Sequence, residues 1–219
     1  MTPALQVSNE SSFRVSILAR LVPALSYAIP MLGAVLSALL FIGVMRAIQV
    51  AESAGIAAVA GGMAEANVLV LIGLYLAIFV GMIGIVVMVV RCFMSTTTAA
   101  PSAFFFLIFG GISLIPLILL WEAESPLIQA ISPGSSGIGY AASSIQVCLM
   151  LAIVTSAAFI LILLAASLIP LPSLLRARRN WAPLLVLVSM EFVLIGTAVA
   201  FQVRTSWFHQ VKFAERILP

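Results

Sequence analysis

GGMAEANVLVLIGLYLAIFVGMIGIVVMVVR, residues Gly61–Arg91, contains 25 residues without a charge, Ala66 to Val90. At a rise of about 1.5 Å per residue this makes a helix of about 37 Å, enough to cross a hydrocarbon core of about 30 Å. Glu65 stands at its start, and Glu65, Leu69, Gly73, Ala77 and Gly81 follow one another at i, i+4 spacing. A row of small residues lets two helix backbones approach closely. That matters in lipid, where apolar contact alone does not drive helices together. Gly73, Ala77 and Gly81 are therefore expected at a helix–helix contact, with Glu65 on the same row. Gly and Ala are also common in ordinary membrane helices, so the row by itself marks packing and nothing more.

Composition points the same way. Of 219 residues, 63% are hydrophobic and 8% are charged, against about 25% charged in a typical water-soluble domain. The expected fold is all-α: a polytopic membrane helix bundle of five spans with no soluble domain, residues 1–219 forming one membrane domain. The lipid bilayer is its first partner. The net charge of +3 reads as a topology signal, and nothing points to nucleic acid. Aspartate is absent, and Cys92 and Cys148 lie far apart without metal or redox spacing. No metal and no cofactor are expected.

A polar arm, residues 1–16, opens the chain. It lacks the basic start of a signal peptide, and is expected to be mobile. Five apolar segments follow, at about 21–45, 66–90, 102–121, 145–170 and 182–203. Pro30 should kink or break the first of them. All three tryptophans, Trp121, Trp181 and Trp207, fall at segment ends, where an indole can bury its ring and wet its N–H. The stretch 122–144, EAESPLIQAISPGSSGIGYAASS, reads as a loop, with Leu127 to Ile131 dipping into the interface. The basic tail is 204–219.

Lys and Arg set the orientation. With five spans, one side holds Arg14, Arg20, Arg91, Arg176, Arg178 and Arg179. The other holds Arg46, Arg204, Lys212 and Arg216, with Glu52, Glu122 and Glu124. By the positive-inside rule the N-terminus is cytoplasmic and the C-terminus external, as in a bacterial inner membrane.

Enzyme signatures are missing: no phosphate loop, no Ser-His-Asp set and no metal cluster can be assembled, and the single His209 sits beside Trp207 and Phe208 in the tail. The chain reads as a non-enzyme. Two carboxylates remain in or near lipid. Glu191 lies near the middle of the last segment. A charge there costs about 3 kcal/mol on insertion scales, and the surrounding apolar residues, at about −0.3 to −0.6 kcal/mol each, outweigh it. The segment still inserts, so Glu191 should face protein or water, or be protonated. A buried hydrogen-bonding residue and a proton-handling residue are both consistent with that. Glu65 follows a second charge-free run, Ser53 to Ala64. Either Gly61–Gly62 breaks the helix, or a helix of about 57 Å projects from the membrane. Both options put Glu65 near the outer mouth, as a proton site or as a helix-start residue.

The first two segments, from Pro30 to about Met82, resemble the last two membrane helices of the MotA/TolQ/ExbB proton-channel family. Pro30 and Gly33 match the first of those helices, and Ser37 stands where the family has a threonine. Gly62-Met63-Ala64-Glu65-Ala66 matches the family's glutamate motif, and Gly73 its following glycine. The likeness covers residues 23–91, about a third of the chain. Val70 replaces a second pore threonine, Leu36 replaces a glycine, and residues 102–203 have no counterpart. The resemblance implies a homo-oligomeric ring of helices around a single-span partner subunit, driven by protons. Glu65 would be the titrating carboxyl, Ser37 would line the same pore, and Gly33 would join the packing residues.

Three readings follow. One is such an ion-motive-force subunit. The second is a non-conducting scaffold that kept the packing hairpin. The third is a small proton-coupled carrier using Glu191 and Glu65.

Overall fold

The computed structural model describes residues 3–51, 56–93, 100–101, 103–131, 141–168, 176–177 and 181–217. Six helices account for nearly all of them: α1 (Pro3–Ala51), α2 (Ile56–Phe93), α3 (Ala103–Ser113), α4 (Ile115–Ile131), α5 (Ala141–Leu168) and α6 (Ala182–Ile217). Two two-residue strands, β1 (Ala100–Pro101) and β2 (Arg176–Ala177), pair antiparallel, with Ala100 opposite Ala177. Four stretches are long and apolar enough to cross a membrane: Leu21–Arg46, Ala58–Val90, Phe105–Pro126 and Ala182–Lys212. A shorter apolar stretch, Val147–Leu163, lies in α5. Helix is the form hydrocarbon demands, because each backbone N–H and C=O must find its partner within the segment.

The outer surface supports a bilayer environment. Phe79, Leu161 and Phe192 are each about two-thirds exposed, at 66%, 68% and 69%. They belong to a continuous apolar exterior that water would not tolerate and lipid does.

α1 and α2 form the central antiparallel pair. A Cβ placed on Gly33 would lie 2.9 Å from the carbonyl oxygen of Leu69 and 3.2 Å from Cα of Gly73. A Cβ on Gly73 would lie 3.1 Å from Cα of Gly33. The two backbones therefore touch. Above and below that point, Gly62 meets Val44, and Gly84 lies beside Val22 and Pro23. Each step along α1 is matched by a step back along α2, over about 33 Å of helix. α6 also runs antiparallel to α2: Gly61 faces Lys212, Gly81 faces Glu191 and Gly84 lies beside Leu187.

The core has two parts. One gathers Ala34, Ala38 and Phe41 of α1, Val70, Leu74 and Ala77 of α2, Leu149 of α5, and Leu194, Ala198 and Phe201 of α6. The other, towards the opposite end, centres on the aromatic rings of Tyr27, Phe105, Phe106, Phe109 and Phe159.

Several expectations change. The first helix runs unbroken through Pro23 and Pro30, and its backbone is already helical from Pro3, within the polar arm. α2 also continues through Gly61 and Gly62. Those glycines admit neighbouring side chains and do not break the helix. The third segment is broken at Leu114. Pro116 has no N–H to give to the carbonyl of Ile112, and its ring crowds that carbonyl. Leu114 N–H turns to the carbonyl of Gly111 at 3.2 Å, and the Ser113 hydroxyl donates to that of Gly110 at 2.6 Å. The expected loop 122–144 is helical at both ends: α4 runs through Pro126 to Ile131, and α5 begins at Ala141. The remainder of that loop, 132–140, lies outside the described residues, as do Glu52 and the side chains of Arg14, Arg20, Arg91 and the Arg176–Arg179 cluster. α6 extends through the basic tail to Ile217.

Close backbone approach leaves no room at residue 33. Gly33→Leu and Ala77→Leu are each expected to cost about 1–3 kcal/mol of stability by overpacking. Leu76→Ala, on the exposed side of the same helix, should cost little. Thermal unfolding of the purified protein in detergent checks the contrast.

Candidate functional site

Polar and ionisable groups occupy two levels of the bundle. The first is the level of Glu65. Glu65 is exposed, on the side of α2 that also presents Val68, Ile72 and Tyr75. It points neither at α1, which Gly73 touches, nor at α6 where Gly81 meets Glu191. The reason is helical geometry: an i, i+4 row advances about 40° per step, so Glu65 and Gly81, sixteen residues apart, lie about 160° apart around the axis. Ser37 is buried in α1 and shares no surface with Glu65. Val70, at the place of the family's second pore threonine, is fully buried in the core, and Leu36, at the place of a glycine, is exposed.

At this same end, sequence reasoning assigned Glu124 and Arg204 to an external loop and tail. Both are buried: Arg204 Nε lies 2.7 Å from Glu124 Oε2, an ion pair joining α6 to α4. The Arg204 guanidinium stacks 3.9 Å from the centroid of the Trp121 ring. Asn67, fully buried on α2, faces the same carboxylate. Three helices thus meet at one charged knot. The missed signal was spacing. Trp121 and Glu124 are three apart, one turn of helix, so a helix running past the tryptophan puts both on one face. Outside the knot, the Tyr75 hydroxyl donates to Gln202 Oε1 at 2.8 Å, and Gln202, Ser206, Trp207 and Gln210 line a shallow groove on α6. This polar rim fits a helix leaving hydrocarbon.

The second level lies about 20 Å further along α6. There Glu191 is 3% exposed, and neither carboxylate oxygen has a hydrogen-bond partner. Its carboxyl group lies directly on Gly81 of α2, where any Cβ would overlap it. The Tyr27 hydroxyl of α1, within electrostatic reach, is also buried and unpartnered. Met190 beside it packs on Gly110 of α3, as does the Tyr27 ring. Glu65 and Glu191 are therefore not brought together. They sit about 24 Å apart along α2 and on different sides of it, as two separate sites.

His209 is exposed on α6. Cys92 and Cys148 are free. Among the described residues, no three His, Cys, Asp or Glu side chains gather as metal ligands. Comparison with known protein families, curated proteins and solved structures gives no match.

The knot yields a clear expectation. Arg204→Ala leaves Glu124 buried without its counter-charge and should cost about 3–5 kcal/mol. Adding Glu124→Gln removes the stranded charge and should recover most of that loss. Thermal unfolding of the two variants, side by side, measures the difference.

Proposed function

We propose that this chain is a membrane subunit of a proton-motive-force-driven complex, of the kind the α1–α2 resemblance implies. In this reading several copies form a ring around the helix of a single-span partner, and Glu65 is the proton-titrating group. The membrane is a bacterial inner membrane, with the N-terminus cytoplasmic and the C-terminus external. One observation carries the reading: Glu65 is exposed on α2, one turn from the exposed apolar Val68 and two from Ile72. A carboxylate on a lipid-facing surface is costly unless another helix or a water-filled pore receives it. An oligomer supplies both. The close fit of Gly33 on Gly73 adds support, because both glycines belong to the matching motif.

A second reading, the non-conducting scaffold, draws on Val70 and Ser37. Both are buried within the chain, so neither presents a polar group to a pore outside it.

Proton flux into proteoliposomes, driven by a potassium diffusion potential, separates the two. Wild-type protein should conduct. Glu65→Gln keeps size and hydrogen bonding but cannot ionise, and should fall to background. Glu65→Asp should retain part of the flux, and both variants should assemble normally. Absence of flux from the wild type, or full flux from Glu65→Gln, would hand the role to the scaffold reading.

A further inference from the structure

We infer that Glu191 and Tyr27 form a second proton-exchanging site, within the bundle at mid-depth, whose occupancy is tied to the contact between α6 and Gly81. This does not rest on Glu65.

A carboxyl group kept only as structural glue would be expected to have its oxygens satisfied, since buried polar groups are nearly always hydrogen-bonded. Here both oxygens of Glu191 and the hydroxyl of Tyr27 are buried without partners, in electrostatic reach of one another. Among the described residues, no counter-charge is near. The stretch of α2 from Ala77 to Met88 and the whole of α3 carry no charged residue. On α1, Tyr27 is the titratable group that faces Glu191. On α6 itself the next charge is Arg204, about 20 Å away and already paired with Glu124. An ionised carboxylate cannot rest in such a place without compensation, whereas a neutral acid can. The Tyr27 hydroxyl is then the polar group within electrostatic reach of that acid.

Gly81 is the second half of the site. Only a residue without a Cβ lets the carboxyl group lie on the α2 backbone. When the proton leaves, the O–H bond of Glu191 breaks, its electron pair stays on the carboxylate, and the proton passes to water. The resulting anion needs water too. It gets that water only by withdrawing from Gly81. Proton release and loss of the contact between Glu191 and Gly81 are thus one event. The ligand is the proton.

Infrared difference spectroscopy on the full-length protein in lipid nanodiscs, titrated with pH, tests this. The expected result is one carbonyl band of a protonated carboxyl that is lost reversibly as pH rises. It should be absent in Glu191→Gln and kept in Glu65→Gln. Tyr27→Phe should move its midpoint by about one pH unit, a tenfold change in proton affinity. Replacing sodium with choline should leave it in place. If Glu191→Gln does not fold, Glu191→Asp identifies the band by shifting its frequency. A Glu191 band that persists at every pH would overturn the proposal, as would a missing band. A midpoint that follows sodium would also overturn it, making this a metal-cation site.

Discussion

Backbone contact between Gly33 and Gly73 fixes the geometry on which the rest of this bundle depends. In lipid, two helices gain nothing by hiding apolar surface from each other, because the surrounding chains are equally apolar. They associate through close packing, and close packing needs small residues where the axes are nearest. With α1 seated on one side of α2, another side is left for α6 and a third faces outward. Glu191 can then lie on Gly81 while Glu65 stays at the surface. The two carboxyl groups have separate environments because α2 has separate faces.

Much of the fold was legible in the sequence. Charge-free runs located the four helices long and apolar enough to cross a membrane and the shorter apolar stretch of α5, and glycine marked the close contact. The period of that contact was harder to read. A row at i, i+4 winds around the helix, so Glu65, Gly73 and Gly81 do not share a face. The residues that do face α1 are Gly62, Gly73 and Gly84, eleven apart. Eleven residues make three turns with only about 20° of drift, so this stripe stays in register across the membrane. Val22, Gly33 and Val44 repeat the same interval on α1.

Other features were hidden for different reasons. Pro30 was expected to kink or break its segment, yet Pro23, Pro30 and Pro126 are carried within helices, and among the described residues a helix breaks just before Pro116. Local sequence does not tell which prolines neighbouring helices will accommodate. The Glu124–Arg204 pair joins residues eighty positions apart, and a charge near a segment end reads as exposed unless its partner is known. The orphaned state of Glu191 and Tyr27 is likewise a property of packing. Sequence placed Glu191 at mid-depth, and only the surrounding helices reveal that nothing there satisfies it.

The proposed role turns on assembly, because Glu65 acquires a neighbour only when another helix covers the outer side of α2. The most direct test is the mass of the complex, extracted with its lipids and measured by native mass spectrometry. A ring of five or more 23.1 kDa chains, at about 115 kDa or above, is what the account predicts. A single 23.1 kDa chain as the sole species would contradict it.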